Sequence, residues 1–413
     1  MSNSNLIIWT LGHRSISEIT VRVLDVAIGW IIRPISFITP RNRSKWLVGN
    51  KTGWNDNSKY YHIYLCENNS DIRTIWISKT KKERDYVRSK GLEAYRKWSI
   101  KGLYHGLTSG AFIFSSNISD INYWASGRAV KINMWHGVGL KKLGMKESDI
   151  YNPNSLANRI LTPFLYDEPT YFVGPSDMMA KHFADCYQLN SEQMLKVGYP
   201  RCEFMMNYKN KTKSLIQKYE STETEMLLKH IGKYDKVYIY MPTFRDAQTD
   251  FIKASGIDFH RFNELLKTKN YLLILKLHPA TRIKEDNLAS FSNILVMDKT
   301  IDIYPILPYT DVLITDYSSI YYDYILMADK DVILFPFDYD DYIHNNRDLA
   351  FDYLTYAPGV KAWNFNELYD IIDSNSPLDF QERDWAIRQF WGDNYNDACR
   401  KITDATTDKL NIQ

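Results

Sequence analysis

Short apolar runs recur along the chain and alternate with amphipathic or polar stretches. A first series lies at residues 45–49, 74–78, 111–114, 131–135, 171–174 and 196–200. A second series lies at residues 236–240, 271–276, 293–297, 311–315 and 331–335. Such alternation is typical of parallel strands covered by helices. The pattern therefore predicts an α/β protein with two Rossmann-like domains that face each other across a cleft.

The same pattern predicts four parts. Residues 45–206 and 207–380 form the two Rossmann-like domains, and the charged, turn-poor stretch that opens the second is expected to be a helical connector. Residues 381–413 are predicted to be helical and to pack back on the first domain. Residues 1–44 form an apolar segment that ends in basic residues.

The N-terminal segment predicts a helix rather than a membrane span. Charged residues interrupt the apolar stretch Leu6–Ile38, so it does not reach the ~20 apolar residues of a spanning helix. The basic stretch Pro40–Lys45 follows it. An apolar segment followed by cations favours a helix lying on an anionic membrane surface. The alternative is a helix packed on its own domain. The first residues lack the basic region of a signal peptide, so none is expected.

Charge and cysteine content exclude several classes. Lys+Arg number 51 and Asp+Glu 49, a net charge of +2, so no overall field favours nucleic acid. The four cysteines are scattered without Cys-x-x-Cys spacing, which argues against a disulfide framework or zinc site and favours a reducing cytoplasm. The sequence shows no clustered His/Asp spacing that predicts a metal site or another cofactor, and a loosely bound Mg²⁺ is left open.

Donor groups for a diphosphate follow several strands of the second series. Thr243 and Arg245 follow one predicted strand, His278 the next, and Ser318 and Ser319 a third. The carboxyl ends of parallel strands meet at one edge of a sheet, where ligands bind. An Arg fork, hydroxyls and the backbone N–H groups of a helix start can hold phosphate oxygens. The alternatives are a serine that only caps the helix and a histidine that only caps a turn.

His136 is the predicted base of the first domain. It directly follows the run 131–135, and Gly137 and Gly139 let the backbone approach a ligand closely. An imidazole can take a proton from an alcohol near neutral pH, as phosphoryl transfer to a hydroxyl requires. The alternative is a packed, hydrogen-bonded core histidine beside Trp135.

Several motifs resemble the CDP-glycerol glycerophosphotransferase family of teichoic-acid and capsule polymerases. They are Trp135–Gly144, Met241–Asp246, Leu275–Pro279, Thr315–Asp323, Phe335–Tyr342 and Arg347–Gly359. The resemblance runs from about residue 45 to residue 393. It implies a GT-B fold and transfer of glycerol phosphate from CDP-glycerol to a hydroxyl, with release of CMP. The first domain would then take the acceptor and the second the CDP donor.

The resemblance also implies roles for particular residues. His136 would be the base and His278 its phosphate-contacting partner. The diphosphate ligands would be Thr243, Arg245, Ser318 and Ser319, and the positions near the donor would be Asp316, Asp323 and Arg347. Asp348 follows Arg347 where relatives carry Gly, so the donor loop is expected to differ. The acceptor would be a polyol phosphate or a glycan, lipid-linked and reached from the inner face of the cell membrane.

Other readings stay open. One is a GT-B glycosyltransferase that uses a nucleotide sugar, and another is a CDP-ribitol-dependent ribitol phosphate transferase. A third, from a different class, is an idle binding protein for a polymer or lipid-linked partner. Fold cannot separate the enzymes, because one fold hosts many activities. The sequence leaves open the acceptor, the product length and the oligomeric state.

Overall fold

A computed structural model of the chain describes residues 16–144, 156–211, 213–243, 245, 251–277, 288, 290–345 and 349–412. Within these residues the chain forms two compact units, each built on a parallel sheet. The first unit holds the described residues up to His136, those of Leu143–Glu203 and those from Asn394 onward. The second holds Gly137–Lys142 and the described residues of Phe204–Asp393.

The described part of the first unit contains a seven-stranded sheet of order β3-β2-β1-β4-β5-β6-β7, in which every neighbouring pair is parallel. Its strands are β1 Asn42–Gly49, β2 Arg73–Ser78, β3 Ala94–Arg96, β4 Ser109–Phe114, β5 Val130–Asn133, β6 Tyr171–Val173 and β7 Met194–Leu195. The order reverses between β1 and β4, and their ends open the crevice where ligands bind in such sheets.

The described part of the second unit contains a six-stranded parallel sheet of order β10-β9-β8-β11-β12-β13. Its strands are β8 Lys236–Met241, β9 Tyr271–Leu275, β10 Ile294–Val296, β11 Val312–Thr315, β12 Asp331–Leu334 and β13 Val360–Lys361. The order reverses between β8 and β11, which pair in register with Met241 opposite Thr315. The predicted α/β class with two Rossmann-like domains is confirmed.

Helices cover both sheets. The α-helices up to residue 231 are α1 Ile16–Ile38, α2 Asp56–Asn68, α3 Lys81–Ser89, α4 Ile100–Thr108, α5 Leu156–Leu161, α6 Asp177–Tyr187, α7 Pro200–Lys211, α8 Lys213–Tyr219 and α9 Thr222–Ile231. Those that follow are α10 Phe251–Ala254, α11 Phe259–Thr268, α12 Ile320–Tyr324, α13 Tyr339–Asn345, α14 Tyr353–Tyr356, α15 Phe365–Ser374, α16 Arg383–Trp391 and α17 Ala398–Ile412. Short 3₁₀ turns lie at Ile118–Asp120, Tyr123–Ala125, Pro163–Leu165, Ser191–Gln193 and Leu307–Tyr309.

Local chemistry explains where many helices begin. Thr80 accepts a hydrogen bond from the N–H of Glu83, and Ser176 accepts one from the N–H of Met179. Such caps satisfy N–H groups that have no partner inside the helix. The strands are buried because both faces of a parallel sheet are covered, and all of Ser109–Phe114 is buried.

Two predicted elements differ from the structure, and two strands were not predicted. The strand predicted at 196–200 lies earlier, at Met194–Leu195, because Pro200 begins a helix. The helical pattern that follows Ser319 continues in the sequence to about Met327, but the helix in the structure ends at Tyr324. The edge strands Ala94–Arg96 and Val360–Lys361 were missed, since so few residues leave no apolar pattern.

The units do not follow the predicted domain ranges at two places. Residues 137–142 belong to the second unit, where Lys141 pairs with Leu349 and the N–H of Ala350 donates to the Leu140 carbonyl at 2.6 Å. The C-terminal helices separate. Helix α16 packs on the second unit through Phe390 against Tyr322, whereas α17 packs on the first through Thr403 and Tyr61.

Helix α1 has one packed and one exposed face. Val26 and Ile32 are buried against Trp124, and a Cβ on Gly29 would lie 2.2 Å from the Trp124 ring. Arg33 donates to the Tyr123 carbonyl at 2.7 Å. The large apolar side chains exposed on the other face are Val23, Leu24, Ile28, Trp30, Ile31, Ile35, Phe37 and Ile38. Among the described residues, no helix has the length and apolar character to cross a membrane.

Candidate active site

His136 stands in a cavity of the first unit with a volume of about 410 Å³. The cavity lies beyond the carboxyl ends of β4 and β5, as expected for a parallel sheet. Its polar lining includes Lys51, Ser116, Asn117, Asn133 and Glu168, and its aromatic lining includes Trp135, Phe164 and Tyr166. Lys51 follows β1, so three neighbouring strands deliver polar groups to one place.

The protonation state of His136 follows from its surroundings. Its Nδ1 lies 3.3 Å from the carbonyl oxygen of Ser115, and because a carbonyl can only accept, Nδ1 carries the proton. Nε2 is then left with a lone pair. His136 keeps part of its surface exposed, and desolvation by the surrounding protein lowers its pKa below the usual 6.5, although Asp56 opposes this and Arg201 and Lys51 reinforce it. The imidazole is therefore neutral near pH 7, as a base must be.

The chain turns sharply at His136. Trp135 has φ +56°, a left-handed conformation that is costly for a bulky side chain, and Gly137 has φ +147°, which favours glycine. The N–H of Trp135 donates to Oδ1 of Asn133 at 2.9 Å, and Nδ2 of Asn133 donates to the Ser116 carbonyl at 2.9 Å. Strain of this kind persists only where surrounding contacts hold it.

Asp316 joins the ends of β8 and β11 in the second unit. Its Oδ1 accepts from the N–H of Thr243 at 2.8 Å and from the N–H of Tyr317 at 2.6 Å. Thr315 donates through its hydroxyl to the Met241 carbonyl at 2.7 Å. Asp316 itself is 1% exposed, so it stabilises the backbone at the two strand ends from inside the protein.

Arg245 does not stand where a phosphate ligand would. Its side chain is fully buried, with Nη1 2.6 Å from Asp316 and Nε 2.9 Å from Asp338. The guanidinium also lies 5.5 Å from the Tyr317 ring centroid. Burial opposes the charged form, but the carboxylates, Asp316 first, outweigh it and raise the pKa of Arg245. Arg245 thus neutralises two buried carboxylates. Its guanidinium is not exposed to bind a phosphate, as the predicted ligand role requires.

Three hydroxyls are placed differently from Arg245. The Thr243 hydroxyl is buried without a hydrogen-bond partner among the described residues. Ser318 is half-buried and Ser319 exposed. Ser319 lies at the start of α12, but its side chain makes no capping hydrogen bond. The alternative in which Ser319 serves only as a helix cap is therefore not supported. A Cβ on Gly139 would lie 3.5 Å from that of Ser319, which brings the glycine-rich segment close to these hydroxyls.

The other predicted site residues fall into two groups. Asp323 is fully buried and accepts from the Tyr304 hydroxyl at 2.5 Å, so it braces the fold beneath the serines. His278 and Arg347 lie outside the described residues. Among the residues that the structure does describe, no group of three or more His, Cys, Asp or Glu is arranged to hold a metal ion.

Sequence reasoning missed several residues around both sites. Asp338 follows β12 and lies within the motif Phe335–Tyr342, yet its pairing with Arg245 depends on the fold. Asp56, Asn57 and Arg201 contact the His136 corner from two helices. Arg201 follows β7 by a few residues, as site residues in parallel sheets often do. Because the strand was predicted at 196–200, the sequence analysis did not identify Arg201.

Comparison with known proteins adds a family match. Residues 35–399 match the family described as CDP-Glycerol:Poly(glycerophosphate) glycerophosphotransferase. The chain is 29% identical over 310 residues to a teichoic acid poly(ribitol-phosphate) polymerase of Bacillus spizizenii, covering 73% of this chain and 47% of that protein. It is 25% identical over 340 residues to a teichoic acid poly(glycerol phosphate) polymerase of Bacillus subtilis, covering 79% and 43%. The chain thus spans about half the length of these relatives.

A solved structure of the wall teichoic acid polymerase TagF superimposes on this chain with a TM-score of 0.71 and 19% identity. The match covers 100% of this chain and 99% of the other. A likeness at this identity shows the fold, and it confirms the predicted GT-B class.

The buried ion cluster predicts a large loss of stability on Arg245→Gln. The change leaves Asp316 and Asp338 buried without a counter-charge, so the free energy of unfolding should fall by about 3 to 5 kcal/mol. Urea unfolding followed by intrinsic fluorescence measures it. Arg400→Gln is the control, because that arginine is 57% exposed in its ion pairs and should contribute only about 0 to 1 kcal/mol. Equal losses in the two variants would contradict the role given to Arg245.

Proposed function

Because the chain belongs to the CDP-glycerol:poly(glycerophosphate) glycerophosphotransferase family, we propose that it transfers glycerol phosphate from CDP-glycerol to an acceptor hydroxyl and releases CMP. The acceptor is a teichoic-acid-type polyol phosphate or glycan. The observation that carries the proposal is the position of His136 in the lining of the cavity, with Nδ1 3.3 Å from the Ser115 carbonyl, an arrangement that leaves the lone pair on Nε2. A group in this state can take a proton from an alcohol.

In the proposed reaction the acceptor hydroxyl binds in the cavity of the first unit. Nε2 of His136 removes its proton as the oxygen attacks the β-phosphorus of CDP-glycerol. The new phosphorus–oxygen bond replaces the bond to the bridging oxygen, and CMP leaves with that oxygen. Positioning and electrostatics would supply most of the rate, as in other phosphoryl transfers.

The second unit would hold the diphosphate through the hydroxyls of Thr243, Ser318 and Ser319. The buried Thr243 hydroxyl supports this, because a buried polar group without a partner is costly and phosphate oxygens would satisfy it. Helix α12 has only five residues, so the proposal relies on the hydroxyls rather than on the charge of a helix end. His278 and Arg347 are proposed as further contacts on the strength of the resemblance. The proposal includes no bound cofactor and leaves Mg²⁺ with the diphosphate open.

The donor remains a choice between two alditols. The family description names CDP-glycerol, whereas relatives at similar identity include a poly(ribitol-phosphate) polymerase and a poly(glycerol phosphate) polymerase. Incubation with CDP-glycerol, CDP-ribitol and nucleotide sugars, with CMP and the products weighed by mass spectrometry, separates these donors. Absence of turnover with every CDP-alditol would instead favour the idle binding protein.

We also propose that the protein works at the inner surface of the cell membrane, with a lipid-linked acceptor. The exposed apolar face of α1 supports this, since contiguous exposed apolar side chains are typical of interaction surfaces. The basic stretch contributes less than its sequence suggests. Arg41 donates to four backbone carbonyls and Lys45 is 4% exposed, which leaves Arg43 and the nearby Arg128 as exposed cations for lipid head groups.

His136→Ala should reduce turnover of CDP-glycerol by about 10²- to 10⁴-fold, the usual contribution of a general base. The matched control is His260→Ala, an exposed histidine of the second unit, which should leave turnover unchanged. CMP release by folded, purified protein is the measurement. Since the base acts when neutral, wild-type activity should fall as the pH drops through a value below 6.5. Undiminished turnover in His136→Ala would remove the proposed base.

Replacing Ser318 and Ser319 together by Ala, or Thr243 by Val, should weaken CDP-glycerol binding. Hydrogen bonds to charged groups contribute about 1.5 to 3 kcal/mol, so the dissociation constant should rise by about 10-fold or more. Isothermal titration calorimetry measures it. Ser374→Ala, an exposed serine of the same unit, is the control. A dissociation constant equal to wild type in both test variants would disprove the phosphate contacts.

Ile31→Glu combined with Ile35→Glu should abolish most membrane binding. These side chains are 67% and 43% exposed on the outer face of α1, and burying each in lipid is favourable by about 1.5 to 3 kcal/mol. Flotation with phosphatidylglycerol vesicles should show a loss of about 10-fold or more. The control is Ile412→Glu, 81% exposed on α17. A control that loses as much binding as the double variant would refute an interface at α1.

A further inference from the structure

We propose that Arg201 and Asp56 are a positioning pair that sets the orientation of His136. The inference rests on the proposed role of His136 as the base and adds residues that hold it in place. Arg201 lies at the start of α7 and Asp56 at the start of α2, so the pair joins the strand-end corner of His136 to two helices.

The contacts are short and buried. Nη1 of Arg201 lies 2.6 Å from Oδ1 of Asp56 and donates to the carbonyl oxygen of His136 at 2.8 Å. The Arg201 side chain is 5% exposed and that of Asp56 19%. One guanidinium nitrogen thus ties the backbone of the base to a carboxylate. A charged donor makes a stronger hydrogen bond than a neutral one, so this link restrains His136 firmly.

Asn57 completes the arrangement at the preceding residue. Its Nδ2 donates to the Trp135 carbonyl at 2.9 Å, and its Oδ1 accepts from the N–H of Arg201 at 3.3 Å. The carbonyls of Trp135 and His136 are therefore held by adjacent groups of one buried network. These donors, together with the bond from the Trp135 N–H to Asn133, hold the left-handed conformation of Trp135 in place.

The chain itself bends to form the pair. Asp56 has φ +60°, a left-handed conformation that Asp adopts more readily than most residues, and its Oδ1 accepts from the N–H of Asn57 at 2.7 Å. The same oxygen contacts Nη1 of Arg201, so the local turn and the ion pair share one carboxylate oxygen.

The charges around His136 act in opposite senses. Asp56 raises the pKa of His136, whereas Arg201 and Lys51 lower it, and the Ser115 carbonyl raises it through its hydrogen bond. Asp56 and Arg201 largely cancel each other in charge. The pair therefore acts mainly by positioning His136. The effects of the two residues can still be told apart, because Asp56 and Arg201 move the pKa of His136 in opposite directions.

The test titrates His136 in histidine-labelled, full-length protein by NMR, with the resonance assigned by its loss in His136→Asn. Asp56→Asn removes a negative charge and should move the titration to lower pH. Arg201→Gln removes a positive charge and should move it to higher pH. Both variants should also lower kcat for CMP release from CDP-glycerol by about 10²-fold, the effect of a small displacement of a catalytic group. Arg201→Lys should recover part of that loss.

Two controls separate positioning from charge and from general stability. Lys51→Gln should move the titration to higher pH, as Arg201→Gln should. It leaves the bond from Arg201 to the His136 carbonyl in place, so the Nδ1–H tautomer, measured by the nitrogen chemical shifts, should persist. Arg41→Gln removes an arginine that donates to four carbonyls elsewhere in the first unit, so it should lower stability without moving the titration.

The outcomes are distinct. A titration and a kcat equal to wild type in Asp56→Asn would overturn the inference, even if Arg201→Gln failed to fold. A shift in Arg41→Gln as large as that in Asp56→Asn would do the same. Unchanged turnover in His136→Asn would instead overturn the proposed function, and the NMR titration would still report whether the pair holds the imidazole.

Discussion

Both sheets consist of parallel strands, and this arrangement determines where the candidate site residues lie. Every strand in a parallel sheet ends at the same edge, so the residues that follow the strands converge there whatever their distance in sequence. In the first unit this brings Lys51, Ser116 and His136 to one cavity. In the second it brings Thr243 beside Asp316 through the pairing of β8 with β11. The reversal of strand order in each sheet opens the space that these residues line.

The two buried arginines show how the units use charge. Arg245 is enclosed by Asp316 and Asp338, and Arg201 by Asp56 and the His136 carbonyl. Neither guanidinium faces a cavity as a free cation. Each instead fixes the backbone at a strand end, and its charge is compensated by carboxylates, as burial requires. Among the described residues, the hydroxyls of Thr243, Ser318 and Ser319 and the imidazole of His136 are uncharged groups that can donate or accept hydrogen bonds.

Helix α1 combines two surfaces in one element. Gly29 allows close packing on Trp124, and Arg33 secures the same face through the Tyr123 carbonyl. The opposite face keeps its apolar side chains exposed. The two readings of this segment, a packed helix and a helix on a membrane, are therefore compatible, because packing uses only one side of the helix. The inward cations Arg41 and Lys45 anchor the segment that follows it.

The sequence alone determined the α/β class, most strands and the placement of His136, Thr243 and the serines, because hydrophobic periodicity and strand ends are local properties. The short strands β3 and β13 and the start of α7 escaped it, since pairing rather than pattern defines them. Only the tertiary structure decided that Arg245 and Asp323 are buried, that Asp338 pairs with Arg245, and that Asp56 pairs with Arg201. Which buried charge meets which depends on segments more than seventy residues apart, and no local pattern carries that information.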